Sequence, residues 1–423
     1  MTTEAVAAAT TVQAVAAATT VQAVAVRLAR LLEDIGLGLN PGELRIACLD
    51  LARHLADDTP LLGIAGRLNV GKSTLSNALT GGRAPTAPTE CTVEPRRYRP
   101  VDEHLAGPSL RCATIDTPGA DSVNRRGPAA LAGLAPADIA VYVVVTPTVR
   151  DVTFLASFAP TRLFSPANTV VVVNRLDERV RPGQDPTPAA AEAIAGYRRT
   201  PQLRPFTILP IIALLAETHA TRRFTAADLA GLHDAGGTER RWRLLGPYGA
   251  HALPAAGPPD LATAYDHIEA MSFLPGLRAR LAALGAQQAT FRCVNVVRRA
   301  ERLVETVAAG NRAEVEALRA IDDWLTRTRR RCPPLMLHDV ANALAGLAGR
   351  TGPAGAPTAA DQCLAAYERA GVRLAGGEPP DAEIELLRAA GRSGDRLVAT
   401  SGTTLRHHLI LRRAALTDEG APT

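Results

Sequence analysis

Residues 66–74 read GRLNVGKST, which satisfies the spacing G-x-x-x-x-G-K-[ST]. The apolar segment LLGIAG (61–66) before it predicts a short strand, and TLSNAL after it has the pattern of a helix. In that context the glycines permit a backbone path along which amides wrap a phosphate at a helix N-terminus. We therefore predict a nucleotide-binding loop, called the phosphate loop below, made by Gly66, Asn69, Val70, Gly71, Lys72, Ser73 and Thr74.

Lys72 is the only lysine among the 47 lysine and arginine residues of the chain. A lysine that persists against so strong an arginine bias is expected to perform a task that arginine does not. We predict that Lys72 contacts the β- and γ-phosphates as a catalytic residue, and that the hydroxyl of Ser73 binds Mg²⁺.

A second motif lies about 40 residues further on, in RCATIDTPGAD (111–121). Its apolar segment delivers Asp116 to the end of a predicted strand, where the carboxylate would hold Mg²⁺ through water. Gly119 follows, and its amide is expected to contact the γ-phosphate. DTPG is also an ordinary turn sequence, so the order of the motifs carries this assignment.

The segment RAPTAPTECTVEPRRY (83–98) lies between these motifs and is rich in proline and threonine. In nucleotide switches a threonine here completes the Mg²⁺ shell when the γ-phosphate is present. Thr86, Thr89 and Thr92 all have the required hydroxyl. We favour Thr92 as the catalytic and metal-binding threonine, with Thr89 as the alternative.

TVVVVNRLDERV (169–180) is an apolar strand that runs into Asn174, Arg175 and Asp177. A carboxylate at Asp177 can accept two hydrogen bonds from the N1 and N2 edge of guanine, where adenine offers no matching donors. Asn174 would tie this loop to the phosphate loop. The apolar stem and planar head of Arg175 can cover the base. These three residues predict a loop that binds guanine, called the base-binding loop below.

Five apolar runs, at 61–66, 110–115, 139–145, 169–174 and 206–212, alternate with helical patterns. Such alternation predicts an α/β domain with a central, mainly parallel sheet and helices on both faces. The Gly-, Pro- and Arg-rich stretch 231–260 predicts a long irregular connection, and 274–331 is a long helix candidate. The predicted parts are a low-complexity tail (1–23), N-terminal helices (24–58), the nucleotide-binding domain (61–250), a C-terminal helical domain (261–413) and a tail (414–423).

Composition excludes several classes. The 423 residues are 47% hydrophobic, so a globular chain of more than one domain is expected. Six cysteines without C-x-x-C spacing suggest neither disulfides nor zinc and fit a reducing cytoplasm. We find no signal peptide and no apolar run of about 18 residues, so membrane contact would be peripheral. The net charge of +5 is spread along the chain, so nucleic acid is not an expected partner.

The four motifs, in this order, resemble the dynamin-related GTPases, and APTAPTECT, NRLDE and IIALLAET resemble the mycobacterial isoniazid-inducible dynamin-like GTPases. The resemblance covers about residues 25–330. It implies a GTPase domain closed by a neck-like helical domain from both termini, GTP hydrolysis coupled to dimerisation, and membrane remodelling. It also places Thr92 as the switch threonine and the last guanine motif near 212–214.

Two features depart from that resemblance. Leu68 stands where eukaryotic dynamins carry a catalytic glutamine, and Ala120 follows DTPG where small GTPases place theirs. Neither side chain can orient water, so unaided hydrolysis is expected to be slow. Asn69 occupies the position that ligates K⁺ in related potassium-activated GTPases. The helical region is short for a full trunk and lipid-binding tip.

The sequence thus favours a cytoplasmic GTPase that binds GTP or GDP with Mg²⁺, with K⁺ as a further candidate cofactor. A homodimer through the nucleotide face and a peripheral position at the inner face of the cell membrane are the expected associations. The alternative is a GTP-binding interaction module that does not hydrolyse GTP and recruits a protein partner. An ATPase is disfavoured by Asp177.

Overall fold

The computed structural model describes residues 3–82, 96–98, 112–117, 132–156, 158, 163–182, 184–200, 203, 206–234, 238–307, 309–329, 332–348, 358–375 and 377–418. It comprises a P-loop α/β domain with a mostly parallel sheet and a large helical region.

Within these residues, six strands form one sheet in the order β2-β3-β1-β4-β5-β6. The strands are β1 (Leu61–Gly66), β2 (Arg96–Tyr98), β3 (Ala113–Asp116), β4 (Ile139–Val144), β5 (Thr169–Val173) and β6 (Thr207–Pro210). All described pairings are parallel except β2 with β3. Five of these strands lie within a residue or two of the predicted runs, with residues 110 and 111 outside the described part. β2 was not predicted, because its three residues RRY carry no apolar alternation.

The core lies on both faces of the sheet, and β4 shows why. Its residues are buried along the whole strand, with Tyr142 and Val144 packed into one hydrophobic cluster and Val141 and Val143 into the other. A strand covered on both faces reads as a continuous apolar run rather than an alternating one. The pattern IAVYVV therefore marks an interior strand of the sheet.

Helices connect the strands and cover both faces. They are α3 (Lys72–Thr80), α4 (Val149–Ala156), a 3₁₀ turn (Leu176–Arg179), α5 (Thr187–Arg198), α6 (Ala213–Ala220), α7 (Ala226–Ala230), α8 (Thr238–Ala256), α9 (Leu261–Met271) and α10 (Leu274–Gly285). The prediction of an irregular connection over 231–260 was wrong, because α8 occupies most of it. The helix is broken at Gly246, where φ is 66°, and this break accommodates Pro247.

The helical region begins with α1 (Thr3–Gly38) and α2 (Glu43–Ala56) and continues after the sheet with α11 (Gln288–Thr306) and α12 (Arg312–Arg329). These four helices share one core. A further core joins α13 (Pro333–Ala348), α14 (Ala359–Ala375), α15 (Asp381–Ala390) and α16 (Arg396–Asp418). The long helix predicted over 274–331 is divided into α10, α11 and α12.

Asp138 joins the helical region to the sheet. Its carboxylate is fully buried just before β4 and accepts hydrogen bonds from Arg292 Nη2 at 2.7 Å and from the Leu61 amide at 3.1 Å. His54 Nε2 lies 3.1 Å from the other oxygen. Asn295 adds bonds to the carbonyls of 135 and 137. Asp138 precedes β4, so these contacts lie at the amino-terminal end of the strands. Ligands of such sheets bind at the opposite end, beyond the carboxyl ends of the strands.

Candidate nucleotide-binding site

The loop between β1 and α3 has the backbone that a phosphate-binding loop needs. Gly66 and Gly71 have φ values of 150° and 94°, and Asn69 has φ of 59°. A Cβ on Gly66 would lie 2.3 Å from the Val143 carbonyl oxygen, and one on Gly71 would lie 2.4 Å from Asn174 Nδ2. Glycine is therefore required at both positions by backbone angle and by space.

Lys72 is the first residue of α3 and is 7% exposed. Its Nζ donates a hydrogen bond of 2.8 Å to the carbonyl of Arg67, so the ammonium lies across the loop. A γ-phosphate offers a charged acceptor in place of that carbonyl, and charge-assisted hydrogen bonds are the stronger kind. The ammonium thus lies over the phosphate loop, and its contact with the β- and γ-phosphates stays a prediction.

Ser73 and Asp116 come together at the start of α3. The Ser73 hydroxyl donates to Asp116 Oδ2 at 2.6 Å, and Asp116 is fully buried at the end of β3. A hydroxyl and a carboxylate are hard oxygen ligands of the kind Mg²⁺ prefers, and such sites hold the ion through few protein groups plus phosphate and water. The pair fits the predicted metal site. Among the described residues there is no cluster of three or more His, Cys, Asp or Glu that could hold a metal.

Asn174 links the phosphate loop to the base-binding loop. Its Nδ2 donates to the carbonyl of Val70 at 2.8 Å, while its Oδ1 accepts from the Ala213 amide at 2.9 Å. The side chain is 4% exposed, so both of its polar ends are satisfied inside the protein. One amide group thereby fixes the two loops and the start of α6 relative to one another.

Arg175 lies over the same loop. Its Nη2 donates to the carbonyl of Asn69 at 2.6 Å, and Nη1 lies 3.3 Å from Glu178 Oε1. The residue itself has φ of 57°, a left-handed conformation that turns the chain from β5 into the 3₁₀ turn. Arg175 therefore spans from the base-binding loop to the phosphate loop, a position from which its stem can cover a base.

Asp177 lies in the 3₁₀ turn and is 5% exposed. Burial raises the pKa of its carboxyl, and this exceeds the opposing effect of the Asp177 and Glu178 amides and of Arg175. A dehydrated carboxylate binds donors strongly and is costly to leave without them. The environment therefore suits recognition of a base edge that carries two N–H donors.

Two buried hydrogen bonds hold α3 beneath the phosphate loop, and neither was predicted. Ser76 Oγ lies 2.6 Å from Thr114 Oγ1 on β3. On the other side, Asn77 Nδ2 donates to Glu217 Oε1 of α6 at 2.6 Å. These partners are distant in sequence, so no local pattern pairs them. They connect α3 to β3, the strand that ends at Asp116, and to α6.

Asp151 anchors the outer side of the phosphate loop. It is 1% exposed and accepts from Tyr142 OH at 2.8 Å and from the Thr148 amide at 2.8 Å. Arg67 Nε lies 3.3 Å from the same carboxylate and Nη2 donates to the Thr146 carbonyl at 3.0 Å. The residue whose carbonyl holds Lys72 is thus fixed by its own side chain.

Several predicted residues lie outside the described part of the chain. They are Gly119, Ala120 and the three candidate threonines Thr86, Thr89 and Thr92. Their predicted roles stay predictions. The described residues that do converge are those of the phosphate loop, Asp116 and the base-binding loop.

Leu68 and Val149 are exposed apolar residues, at 43% and 82% exposure. Leu68 belongs to the phosphate loop and Val149 begins α4, and the side chain of Arg67 reaches Thr146 and Asp151 between them. Leu68 carries no group that could position water. Asn69, the candidate K⁺ ligand, has its carbonyl engaged by Arg175.

With this geometry established, the chain can be compared with known proteins. Residues 61–175, less than a third of the chain, match the family model described as 50S ribosome-binding GTPase. That segment contains the phosphate loop, Asp116 and Asn174. No curated protein matches the chain.

Three solved structures illustrate the similarity. A bacterial selenocysteine-specific elongation factor, EF-Sec, is 20% identical over 38% of this chain and 26% of its own length, with a TM-score of 0.29. Era, solved with MgGDPNP and a 16S ribosomal RNA fragment, is 22% identical over 37% of this chain and 51% of its own length, with a TM-score of 0.30. LeoA, a bacterial dynamin GTPase from ETEC, is 12% identical over 96% of this chain and 68% of its own length, with a TM-score of 0.38. The chain thus spans about half or less of the first two proteins.

No helix in the described part of the chain combines the length and apolar character needed to cross a bilayer.

Proposed function

We propose that this protein binds GTP with Mg²⁺ and hydrolyses it to GDP and phosphate, acting as a nucleotide-controlled switch of the dynamin type. The observation that carries the proposal is the Asn174 side chain, which bonds the phosphate loop at Val70 and the α6 loop at Ala213. Three residues later comes the buried carboxylate of Asp177, which in this proposal binds the base. Phosphate and guanine groups are thus served by one rigid unit.

Each residue has a defined task in this proposal. The loop amides and the N-terminus of α3 bind the phosphates, and Lys72 donates to the β- and γ-phosphates after leaving the Arg67 carbonyl. Ser73 and Asp116 are the residues that would hold Mg²⁺, which neutralises charge on the phosphates when bound. Asp177 accepts the N1 and N2 protons of guanine.

Turnover is expected to depend on a second copy. The phosphate loop carries Leu68 at the position where eukaryotic dynamins carry a catalytic glutamine, so Leu68 itself cannot position the attacking water. The exposed Leu68 and Val149 give the nucleotide face an apolar surface suited to covering by another protein. We propose a homodimer through this face, with the switch threonine of the 83–98 segment and Gly119 contributing to the γ-phosphate site.

The binding proposal is tested by competition. A fluorescent GTP analogue is bound to the purified chain and displaced with GTP, GDP or ATP, with and without Mg²⁺. GTP should displace it at far lower concentration than ATP, and Lys72→Ala should abolish binding. Equal displacement by ATP would show that the base assignment is wrong.

Hydrolysis is tested by measuring phosphate release against protein concentration, in KCl and in NaCl. Specific activity that rises with concentration supports the dimer, and a rise only in KCl supports a K⁺ site. Flat and negligible release, with GTP binding intact, favours the alternative of an interaction module; Leu68 in the phosphate loop is the observation that keeps this alternative.

A position in the cytoplasm, with peripheral contact at the inner face of the cell membrane, completes the proposal. Co-sedimentation with anionic liposomes, with and without a non-hydrolysable GTP analogue, tests it. Nucleotide-dependent pelleting is the expected result, whereas protein that stays in the supernatant in both states would remove the membrane from the proposal.

A further inference from the structure

Helix α8 is broken in the middle. Gly246 has φ of 66° and ψ of −176°, and Pro247 follows as the first residue of the second half. The Thr218 hydroxyl donates to the Leu244 carbonyl at 2.5 Å, two residues before the break. Proline suits the first position of a helix, and a side-chain donor can satisfy a carbonyl near a helix end. The break is therefore a built feature of the fold.

The break faces the base-binding loop. A Cβ added to Gly246 would lie 2.7 Å from Asp177 Oδ2 and 3.5 Å from Leu214 Cδ2. Asp177 is the residue assigned to guanine recognition, and Leu214 lies in the segment near 212–214 where the resemblance places the last guanine motif. The backbone of α8 at Gly246 thus lies close to both segments that are predicted to bind the base.

The close approach explains how Asp177 is kept from water. Its side chain lies in a 3₁₀ turn and is only 5% exposed. Gly246 is buried beside it. Any side chain at 246 would displace either α8 or the carboxylate.

A dry and fixed acceptor discriminates strongly between bases. A site built to bond a substrate N–H rejects an analogue that lacks it, because the buried acceptor is left unsatisfied. A wetted acceptor would instead keep a water molecule, and the penalty for the analogue would shrink. Discrimination at Asp177 should therefore depend on whatever excludes water from it.

We propose that the bend of α8 at Gly246 is a wall of the guanine site, and that Gly246 is a specificity-determining residue that positions Asp177 and keeps it dry. This inference rests on the proposed function, since it assumes that Asp177 binds the base. Gly246 acts through Asp177 and is a positioning residue.

The test compares GTP with inosine triphosphate, which lacks the N2 amino group and so loses one of the two bonds to Asp177. Wild-type protein should prefer GTP by on the order of 10- to 100-fold, the loss expected for one hydrogen bond to a charged group. Gly246→Ala should reduce that ratio to less than about threefold, mainly by weakening GTP binding. Both affinities are measured by calorimetry on the full chain.

Two matched controls isolate the effect. Gly249 lies on α8, like Gly246, and Gly249→Ala introduces a Cβ 2.7 Å from Leu215 Cδ2 of α6 without meeting Asp177. Gly257→Ala introduces a Cβ in open space at a residue whose φ is 56°. Both should keep the wild-type ratio, even if they lower stability. If either control changes the ratio as much as Gly246→Ala, the effect is general loosening and the inference is wrong.

A second variant covers the case in which Gly246→Ala fails to fold. Thr218→Val removes the hydroxyl that supports the bend and touches neither Gly246 nor Asp177, and it should lower the GTP preference about threefold. An unchanged ratio in folded Gly246→Ala, or in Thr218→Val when that is the one available, overturns the inference alone. Wild-type protein that binds GTP and the inosine nucleotide equally would overturn the guanine assignment as well.

Discussion

Replacing Asp138 with asparagine should lower the free energy of unfolding by weakening the contact between the helical region and the sheet, without changing the shape of the residue. The carboxylate is fully buried and pairs with Arg292, which is itself 4% exposed. Arg292 Nη2 also donates to the Thr59 carbonyl at 2.7 Å, so the guanidinium stays inside after the substitution. The asparagine keeps an oxygen for the Leu61 amide, but the negative charge is lost.

The size of the effect follows from that geometry. Removing one partner of a buried ion pair leaves an uncompensated charge and destabilises a protein by about 3–5 kcal/mol. Global stabilities of about 5–15 kcal/mol make this a large fraction. By contrast, Asp57 pairs with Arg97 at 2.9 Å where the two side chains are 30% and 40% exposed. Asp57→Asn should therefore lower stability by less than about 1 kcal/mol.

Urea unfolding followed by tryptophan fluorescence and far-ultraviolet circular dichroism measures both variants. Trp324 lies in α12 and is packed against the core shared by α1, α2, α11 and α12, so it reports on the helical region. Arg292→Leu added to Asp138→Asn should recover at least about 1.5 kcal/mol, because the stranded charge is removed. If Asp138→Asn behaves like Asp57→Asn, or the double variant recovers nothing, the proposed joint has no energetic role.

Three further results are expected. Asp116→Asn should abolish the gain in GTP affinity on adding Mg²⁺ while leaving Mg²⁺-free binding unchanged; a normal Mg²⁺ response in calorimetry would contradict its metal role. Asn77→Leu should lower the free energy of unfolding by about 2 kcal/mol, since it removes the donor to buried Glu217, and urea denaturation showing no change would refute this. Burial and the nearby Arg278 and Arg222 lower the pKa of His219 to about 4. The unfolded chain therefore binds this proton first, so stability falls by up to about 3 kcal/mol as pH drops from 6.5 to 4, and His219→Gln should flatten that slope.

The sequence predicted the parts of the site that are local. The phosphate loop follows a strand and opens a helix, so the motif spacing and this context together identified Gly66, Gly71 and Lys72. The β4 and β5 runs were recognisable because interior parallel strands are apolar along their length. The apolar run before each carboxylate then placed Asp116 at the end of β3 and Asp177 in the turn that follows β5.

The remaining parts depend on contacts between distant segments. Asn77 and Glu217 are 140 residues apart, and Asp138 and Arg292 are 154 apart, so no local pattern pairs them. The α8 segment has the glycine and proline content of a loop, but packing against α6 makes it a broken helix. Its contact with Asp177 follows from that packing, and a composition-based prediction placed no element there.

The most direct test of the account is the base specificity of Asp177→Asn. Guanine presents two donors to the carboxylate, at N1 and N2, whereas xanthine carries an oxygen in place of the N2 amino group. An asparagine can accept from N1 and donate to that oxygen, so its affinities should reverse. We predict that wild-type protein binds GTP far more tightly than xanthosine triphosphate and that Asp177→Asn prefers the xanthine nucleotide by at least about tenfold. A variant that still prefers GTP would show that Asp177 does not bind the base.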